Sequence, residues 1–117
     1  MIKELTMNTS DKWILAIQED ELHEGEKKAL LLEGNKVLLL RKENTFFAMS
    51  NKCPHMGCPL SKGTLEEYVI KCPCHDWRFD IRSGEFVDAK EIRLPVYETK
   101  IVDGSVFINM EVEGQDL

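Results

Sequence analysis

Residues 53–64 read Cys-Pro-His-Met-Gly-Cys-Pro-Leu-Ser-Lys-Gly-Thr, and residues 72–76 read Cys-Pro-Cys-His-Asp. Proline and glycine at this density make loops rather than strands. The tract between them, Glu67–Lys71, is short and apolar, and is expected to be a strand that sets the two loops side by side. All four cysteines of the chain fall between positions 53 and 74, interleaved with two of its three histidines. That clustering points to a metal site more than to two disulfides.

Outside the loops, short apolar or alternating runs recur. They are Trp13–Ile17, Ala29–Leu32, Val37–Leu40, Phe46–Met49, Tyr68–Ile70, Phe79–Ile81, Ile92–Leu94, Tyr97–Ile101 and Val106–Met110. Turn signals at Glu33-Gly34-Asn35, Arg82-Ser83-Gly84 and Asp103-Gly104 separate them. Many short strands at this spacing predict an all-β sandwich or barrel. Two hairpins are predicted, one turning at Gly34-Asn35 and one at Asp103-Gly104. Only Glu19–Lys28 hints at a helical period, and it is too polar to pack well. The first ten and last five residues carry no pattern and are expected to be loose.

A chain of 117 residues with 43% apolar and 31% charged side chains suits one soluble domain, residues 1–117. Its net charge of −6 disfavours nucleic acid as a partner. The longest apolar run is Trp13–Ile17, five residues. A membrane span needs about 20 and a signal-peptide core about 7–15. A cytoplasmic protein with no membrane contact is therefore expected. Charge is uneven: residues 52–82 sum to +1, leaving −7 on the rest. A near-neutral loop region on an acidic body suits brief, weak docking.

The metal-ligating pattern is Cys53-x-His55, then sixteen residues, then Cys72-x-x-His75. Each loop offers one thiolate and one imidazole. Two sulfurs and two nitrogens suit zinc or an iron–sulfur centre, and do not suit calcium or magnesium. Structural zinc more often shows a C-x2-4-C spacing.

These residues resemble the C-x-H-x(15–17)-C-x2-H pattern of the Rieske [2Fe–2S] proteins. The segment Cys-Pro-Cys-His-Asp-Trp-Arg-Phe-Asp-Ile-Arg-Ser-Gly-Glu at 72–85 is similar to the second cluster loop of Rieske-type ferredoxins, and Leu94-Pro95-Val96-Tyr97 also looks like that family. The resemblance implies a Rieske-type antiparallel β-sandwich or barrel with a small cluster-binding subdomain, its loops at 53–64 and 72–76. It implies one [2Fe–2S] cluster per chain, with Cys53 and Cys72 on the inner iron and His55 and His75 on the outer one. Two thiolates and two neutral imidazoles leave the oxidised cluster neutral, where four thiolates would leave −2. A neutral centre takes an electron more easily, so such potentials run at about −150 to +300 mV.

The remaining pair, Cys58 and Cys74, is similar to the extra cysteines of the high-potential Rieske proteins of cytochrome bc complexes. The resemblance implies a Cys58–Cys74 disulfide tying the loops together. A reducing cytosol favours the alternative, two buried thiols. The chain departs from the bc pattern where those proteins carry Gly-Ser and then Tyr after the second histidine. Asp76, Trp77 and Phe79 stand there instead. Loss of two hydroxyl donors implies a low-to-intermediate potential.

Trp77 and Phe79 alternate with Arg78 at strand spacing and are expected in the core. Met56, Pro59 and Leu60 could form an apolar collar where a redox partner docks, and core filler is an equal reading of Leu60. After the cluster takes two histidines only His23 remains, expected on the solvated surface. A mononuclear oxygenase iron, held by two histidines and a carboxylate, therefore lacks its second histidine here. No Gly-x-Gly-x-x-Gly occurs either. The resemblance thus implies a monomeric one-electron carrier with no reaction of its own. A ferredoxin reductase would supply it, and a terminal oxygenase or another redox enzyme would accept from it. The alternative is a small subunit of a larger redox complex, similar to that of assimilatory nitrite reductases.

Overall fold

The computed structural model describes residues 13–54, 57–74 and 76–110. His55, Met56, His75 and the two patternless termini lie outside the described residues. Among the described residues, two 3-10 turns, Glu19–Glu21 and Leu60–Lys62, accompany twelve strands: β1 Trp13–Gln18, β2 Lys27–Leu32, β3 Asn35–Lys42, β4 Thr45–Ser50, β5 Thr64–Glu66, β6 Val69–Lys71, β7 Arg78–Asp80, β8 Glu85–Phe86, β9 Ala89–Arg93, β10 Val96–Tyr97, β11 Thr99–Val102 and β12 Ser105–Asn109. All pairings are antiparallel. They build three sheets, ordered β1-β12-β11, β10-β4-β3-β2 and β5-β6-β7-β8-β9. The all-β class expected from the sequence is the observed one.

The sheet containing β3 is the middle layer, and β3 shows why. Val37, Leu38, Leu39 and Leu40 are all wholly buried, so both of its faces are covered. Successive strand side chains point to opposite faces. Val37 and Leu39 join Phe46, Ala48, Ile17, Val106 and Ile108 in one core against the β1-β12-β11 sheet. Leu38 and Leu40 join Met49, Ile70, Phe79, Ile81 and Phe86 in a second core against the five-stranded sheet. An uninterrupted apolar run is what a strand between two cores requires.

The predicted hairpins occur, with one shift. Leu32 pairs with Asn35, so the first loop is Glu33-Gly34, one residue earlier than expected. Both loop residues have positive φ (50° and 81°), as a two-residue turn of the mirror-image type demands. Asp103-Gly104 turns the same way, at 50° and 80°. A third such turn, Glu43-Asn44 (52° and 61°), lacks glycine and gives no strong sequence signal. Glu24 stabilises it, its carboxylate accepting from the Glu43 amide at 2.6 Å and the Asn44 amide at 3.0 Å.

Two expectations need correction, and the polar Glu19–Lys28 stretch, as expected, forms no α-helix. The run Tyr97–Ile101 is not one strand, because Glu98 breaks it and its halves enter different sheets. Glu67 and Tyr68 form a turn, so the strand between the loops starts at Val69. Glu19–Lys28 makes a single 3-10 turn at Glu19–Glu21 and then runs into β2. Arg41 holds that segment instead of helical bonds, its guanidinium donating to the Glu19 and Leu22 carbonyls at 3.0 and 2.7 Å.

Candidate metal centre

The two loops leave the same end of the molecule and share one backbone wiring. In the first, the Cys53 amide donates to the Cys58 carbonyl at 2.9 Å and the Gly57 amide donates to the Cys53 carbonyl at 2.7 Å. In the second, the Cys72 amide donates to the Trp77 carbonyl at 2.7 Å and the Asp76 amide donates to the Cys72 carbonyl at 3.2 Å. Each loop is thus a cysteine whose carbonyl binds the amide four residues on and whose amide reaches the carbonyl five residues on. The fourth residue beyond the cysteine has positive φ in both, Gly57 at 77° and Asp76 at 59°. Glycine meets this freely and aspartate is among the few other residues that tolerate it. Pro54 and Pro73 hold equivalent places after the cysteines.

Cys53 and Cys72 are 2% and 1% exposed and belong to the same core as Leu38, Met49, Ile70 and Phe79. Their backbones therefore move only with the packed interior. Leu60 is wholly buried in that core, which settles its role as filler. Pro59 is exposed, and Met56 lies outside the described residues. Beneath the second loop, Trp77 stacks on Phe86 with ring centres 4.2 Å apart and planes 7° from parallel. Phe79, wholly buried, packs at 5.5 Å from Phe86 and 6.3 Å from Trp77. The expected core role of Trp77 and Phe79 is the observed one.

Cys58 and Cys74 are joined by a disulfide, Cα atoms 6.5 Å apart, that ties one loop to the other. The Cys72 sulfur lies within 4.8 Å of both bonded sulfurs. Sulfurs in a disulfide are not thiolate donors, so the thiols outside that bond are Cys53 and Cys72. Two buried thiols, each on a loop that also carries one histidine, fit the donor set of a mixed thiolate–imidazole iron–sulfur centre. His23 stands apart, exposed, its Nδ1 3.3 Å from Glu26 Oε1.

Two supporting contacts had no sequence signal. Asn51, 6% exposed, pairs with Ser61 across the base of the first loop. Gly63 passes so close to the Lys71 carbonyl that a Cβ there would collide with it. At the opposite end of the five-stranded sheet, the Tyr68 hydroxyl donates to Glu43, and Arg82 lies over the Tyr68 ring at 4.3 Å. Arg82 also grips Asp80 through two nitrogens, at 3.0 and 2.9 Å. That guanidinium holds the Asp80 carboxyl below its ordinary pKa, and the Glu43 carboxylate pushes the Tyr68 phenol above its own.

A family model for the Rieske [2Fe–2S] domain matches residues 12–98. The chain belongs to that family. Its cofactor is accordingly a Rieske-type [2Fe–2S] cluster. The chain is 32% identical over 102 residues to the ferredoxin component of a naphthalene 1,2-dioxygenase system of Pseudomonas aeruginosa, covering 86% of this chain and 98% of that protein. It is also 32% identical over 98 residues to human apoptosis-inducing factor 3, where the match covers 83% of this chain but only 16% of that protein. Among solved structures, a complex of reduced oxygenase and oxidised ferredoxin from carbazole 1,9a-dioxygenase matches with a TM-score of 0.80 at 25% identity, over 86% of this chain and 95% of that one. Among the described residues, no helix is long and apolar enough to cross a membrane.

Proposed function

We propose that this Rieske protein is a one-electron carrier that takes an electron from a reductase and delivers it to a terminal oxygenase or a similar redox enzyme. The observation that carries this reading is the pair of buried thiols on identically wired loops, locked together at one end of the molecule. The near end-to-end match to a dioxygenase ferredoxin component supports it. In this proposal Cys53 and Cys72 hold one iron, and His55 and His75 hold the other.

When bound, the cluster supplies a one-electron couple. The chain supplies the rest. Core packing of Cys53 and Cys72 fixes the thiolates whether or not the electron is present, so little rearrangement opposes transfer. The Cys58–Cys74 bond keeps the two loops in register, and the Asn51–Ser61 pair closes the base of the first. Cytoplasmic residence and a monomeric state complete the proposal.

The deciding experiment is EPR of the anaerobically dithionite-reduced protein. A rhombic signal with average g clearly below that of all-cysteine [2Fe–2S] centres is expected. A silent spectrum, with bound zinc and no acid-labile sulfide, would overturn the proposal.

A second reading, a module or subunit of a larger redox assembly, draws on one feature. Leu15, Ile101 and Val102 on the β1-β12-β11 sheet are each about half exposed. Sedimentation at decreasing concentration separates the two. A carrier stays monomeric, whereas an assembly subunit self-associates or co-purifies in fixed ratio.

A further inference from the structure

The charge count by sequence segment, +1 over residues 52–82, understates what the fold does with those charges. Antiparallel pairing sends them to opposite ends. Lys71 ends β6 and Arg78 starts β7, and the two are direct cross-strand partners flanking the second loop. Lys71 also pairs with Thr64, so Lys62 and Gly63 run alongside it. Lys52 precedes Cys53, and its Cε lies 3.9 Å from where a Gly57 side chain would begin. All four basic residues are exposed. The acids that face them are Asp76 and Asp88, the latter 4.0 Å from an Arg78 nitrogen. The acids Glu66, Glu67 and Asp80 sit at the other end of the five-stranded sheet, beside Tyr68, Arg82 and Glu43. With the oxidised cluster neutral, the loop end therefore carries an excess of two positive charges, and of one when the cluster is reduced, on a protein whose net charge is −6.

We infer that Lys52, Lys62, Lys71 and Arg78 form a basic collar around the two loops, and that the collar docks an acidic surface of the protein that exchanges electrons with this chain. The inference rests on the electron-carrier proposal. Charges beyond a Debye length, about 8 Å at physiological salt, are largely screened. A docking partner at the loop end thus senses the collar more strongly than the distant acidic body, although Glu66 and Asp80 lie only two residues further along the three-residue strands β5 and β7, about 7 Å away. Complementary charge at the docking face raises the encounter rate and fixes orientation, which a carrier that must release its partner needs more than tight affinity. A net charge of −6 argues against a nucleic acid as the polyanion.

The test uses small oxidants of opposite charge on the reduced, cluster-loaded protein. One electron passes from the protein to hexacyanoferrate(III), giving hexacyanoferrate(II) and oxidised protein. With the collar in control, the second-order rate falls about threefold or more between about 10 mM and 300 mM ionic strength, despite the negative net charge. Hexaamminecobalt(III) shows the reverse trend. Lys71→Glu/Arg78→Glu slows the anionic oxidant by about tenfold at low salt, and Lys71→Gln/Arg78→Gln falls in between. Lys27→Glu/Lys28→Glu, on β2 away from the loops, makes the same change in net charge and moves the rate far less. A rate with the anion that rises with salt, or equal effects of the two charge reversals, overturns the collar while leaving the carrier reading intact. Absence of the cluster's visible and EPR signals overturns both. Retention on heparin at about 0.15 M salt, lost in Lys71→Glu/Arg78→Glu, would reassign the patch to a polyanion and overturn the acidic-protein partner.

Discussion

The carboxamide of Asn51 closes the first loop by pairing with Ser61 twice: Oδ1 accepts from the Ser61 amide at 2.8 Å, and Nδ2 donates to Ser61 Oγ at 3.2 Å. Asn51 directly follows β4 and is almost wholly buried, so its polar atoms have no water to fall back on. Asn51→Ala leaves the Ser61 amide without its acceptor and is expected to cost about 1–3 kcal/mol. Ser61→Ala keeps the amide bond and removes only the weaker contact, costing about 0.5–1.5 kcal/mol. Urea unfolding of the two variants against wild type measures both. Equal losses would mean that the hydroxyl, not the amide, is the important partner.

The disulfide links residues 16 apart in sequence across the two loops. A cross-link closing a loop of this length contributes up to about 3 kcal/mol by restricting the unfolded chain. Cys58→Ser/Cys74→Ser is therefore expected to unfold at lower denaturant than wild type under oxidising conditions. The two proteins should converge in strong reductant. If the gap persists in reductant, the serines harm the packing directly.

Much of this architecture is legible in the chain, for physical reasons that differ by element. Val37–Leu40 announces a strand because it is a short apolar run between turn signals, while its burial on both faces shows only in the two cores it joins. Asp103-Gly104 announces a hairpin because few residues accept positive φ. The Cys/His spacing announces the metal loops because ligand chemistry restricts residue type. What stays hidden depends on partners distant in sequence. Glu43-Asn44 turns without glycine because Glu24, some twenty residues away in sequence, accepts from its amides. The two-residue strand Glu85–Phe86 exists because Trp77 stacks on Phe86, and no periodicity can show in two residues. The basic collar is invisible in a segment sum because register, not sequence distance, sorts Lys71 from Glu66.

Stability should be flat around neutrality and fall at both extremes. Asp80 and Glu24 both have pKa values held below normal, Asp80 chiefly by the Arg82 guanidinium and Glu24 by the Asn44 and Glu43 amides. Their contribution is complete above the ordinary carboxylate pKa of about 4 and is lost as pH falls through the lower folded values. The Tyr68 phenol is raised, chiefly by its hydrogen bond to Glu43. Its contribution is complete below about pH 10 and is lost as pH rises towards the folded value. Thermal unfolding of wild type and Tyr68→Phe across pH 8–11 tests the alkaline arm. The variant should show a shallower decline there and an unchanged acid limb.

The reduction potential is set by what surrounds the second loop. Where high-potential relatives carry hydroxyl donors, Trp77 and Phe79 present only carbon and an indole, and Asp76 adds a negative charge at the exposed loop tip. One hydrogen bond to a charged acceptor contributes about 1.5–3 kcal/mol, equivalent to roughly 65–130 mV for one electron. The midpoint is therefore expected below about +200 mV, short of the top of the Rieske range. Asp76→Asn removes the charge and keeps a residue that accepts a φ of 59°, so it tests charge without disturbing the turn. It should raise the midpoint by on the order of tens of millivolts. Phe79→Tyr restores a hydroxyl where the family resemblance puts one on a cluster sulfur, and should raise it by roughly 65–130 mV. Trp77 is left in place in both, because its stacking on Phe86 holds the loop from below. Redox titration followed by visible circular dichroism reads all three proteins. A wild-type midpoint above about +200 mV would mean that the potential is held up by something other than these donors, and an unmoved Phe79→Tyr would exclude position 79 as a route to it.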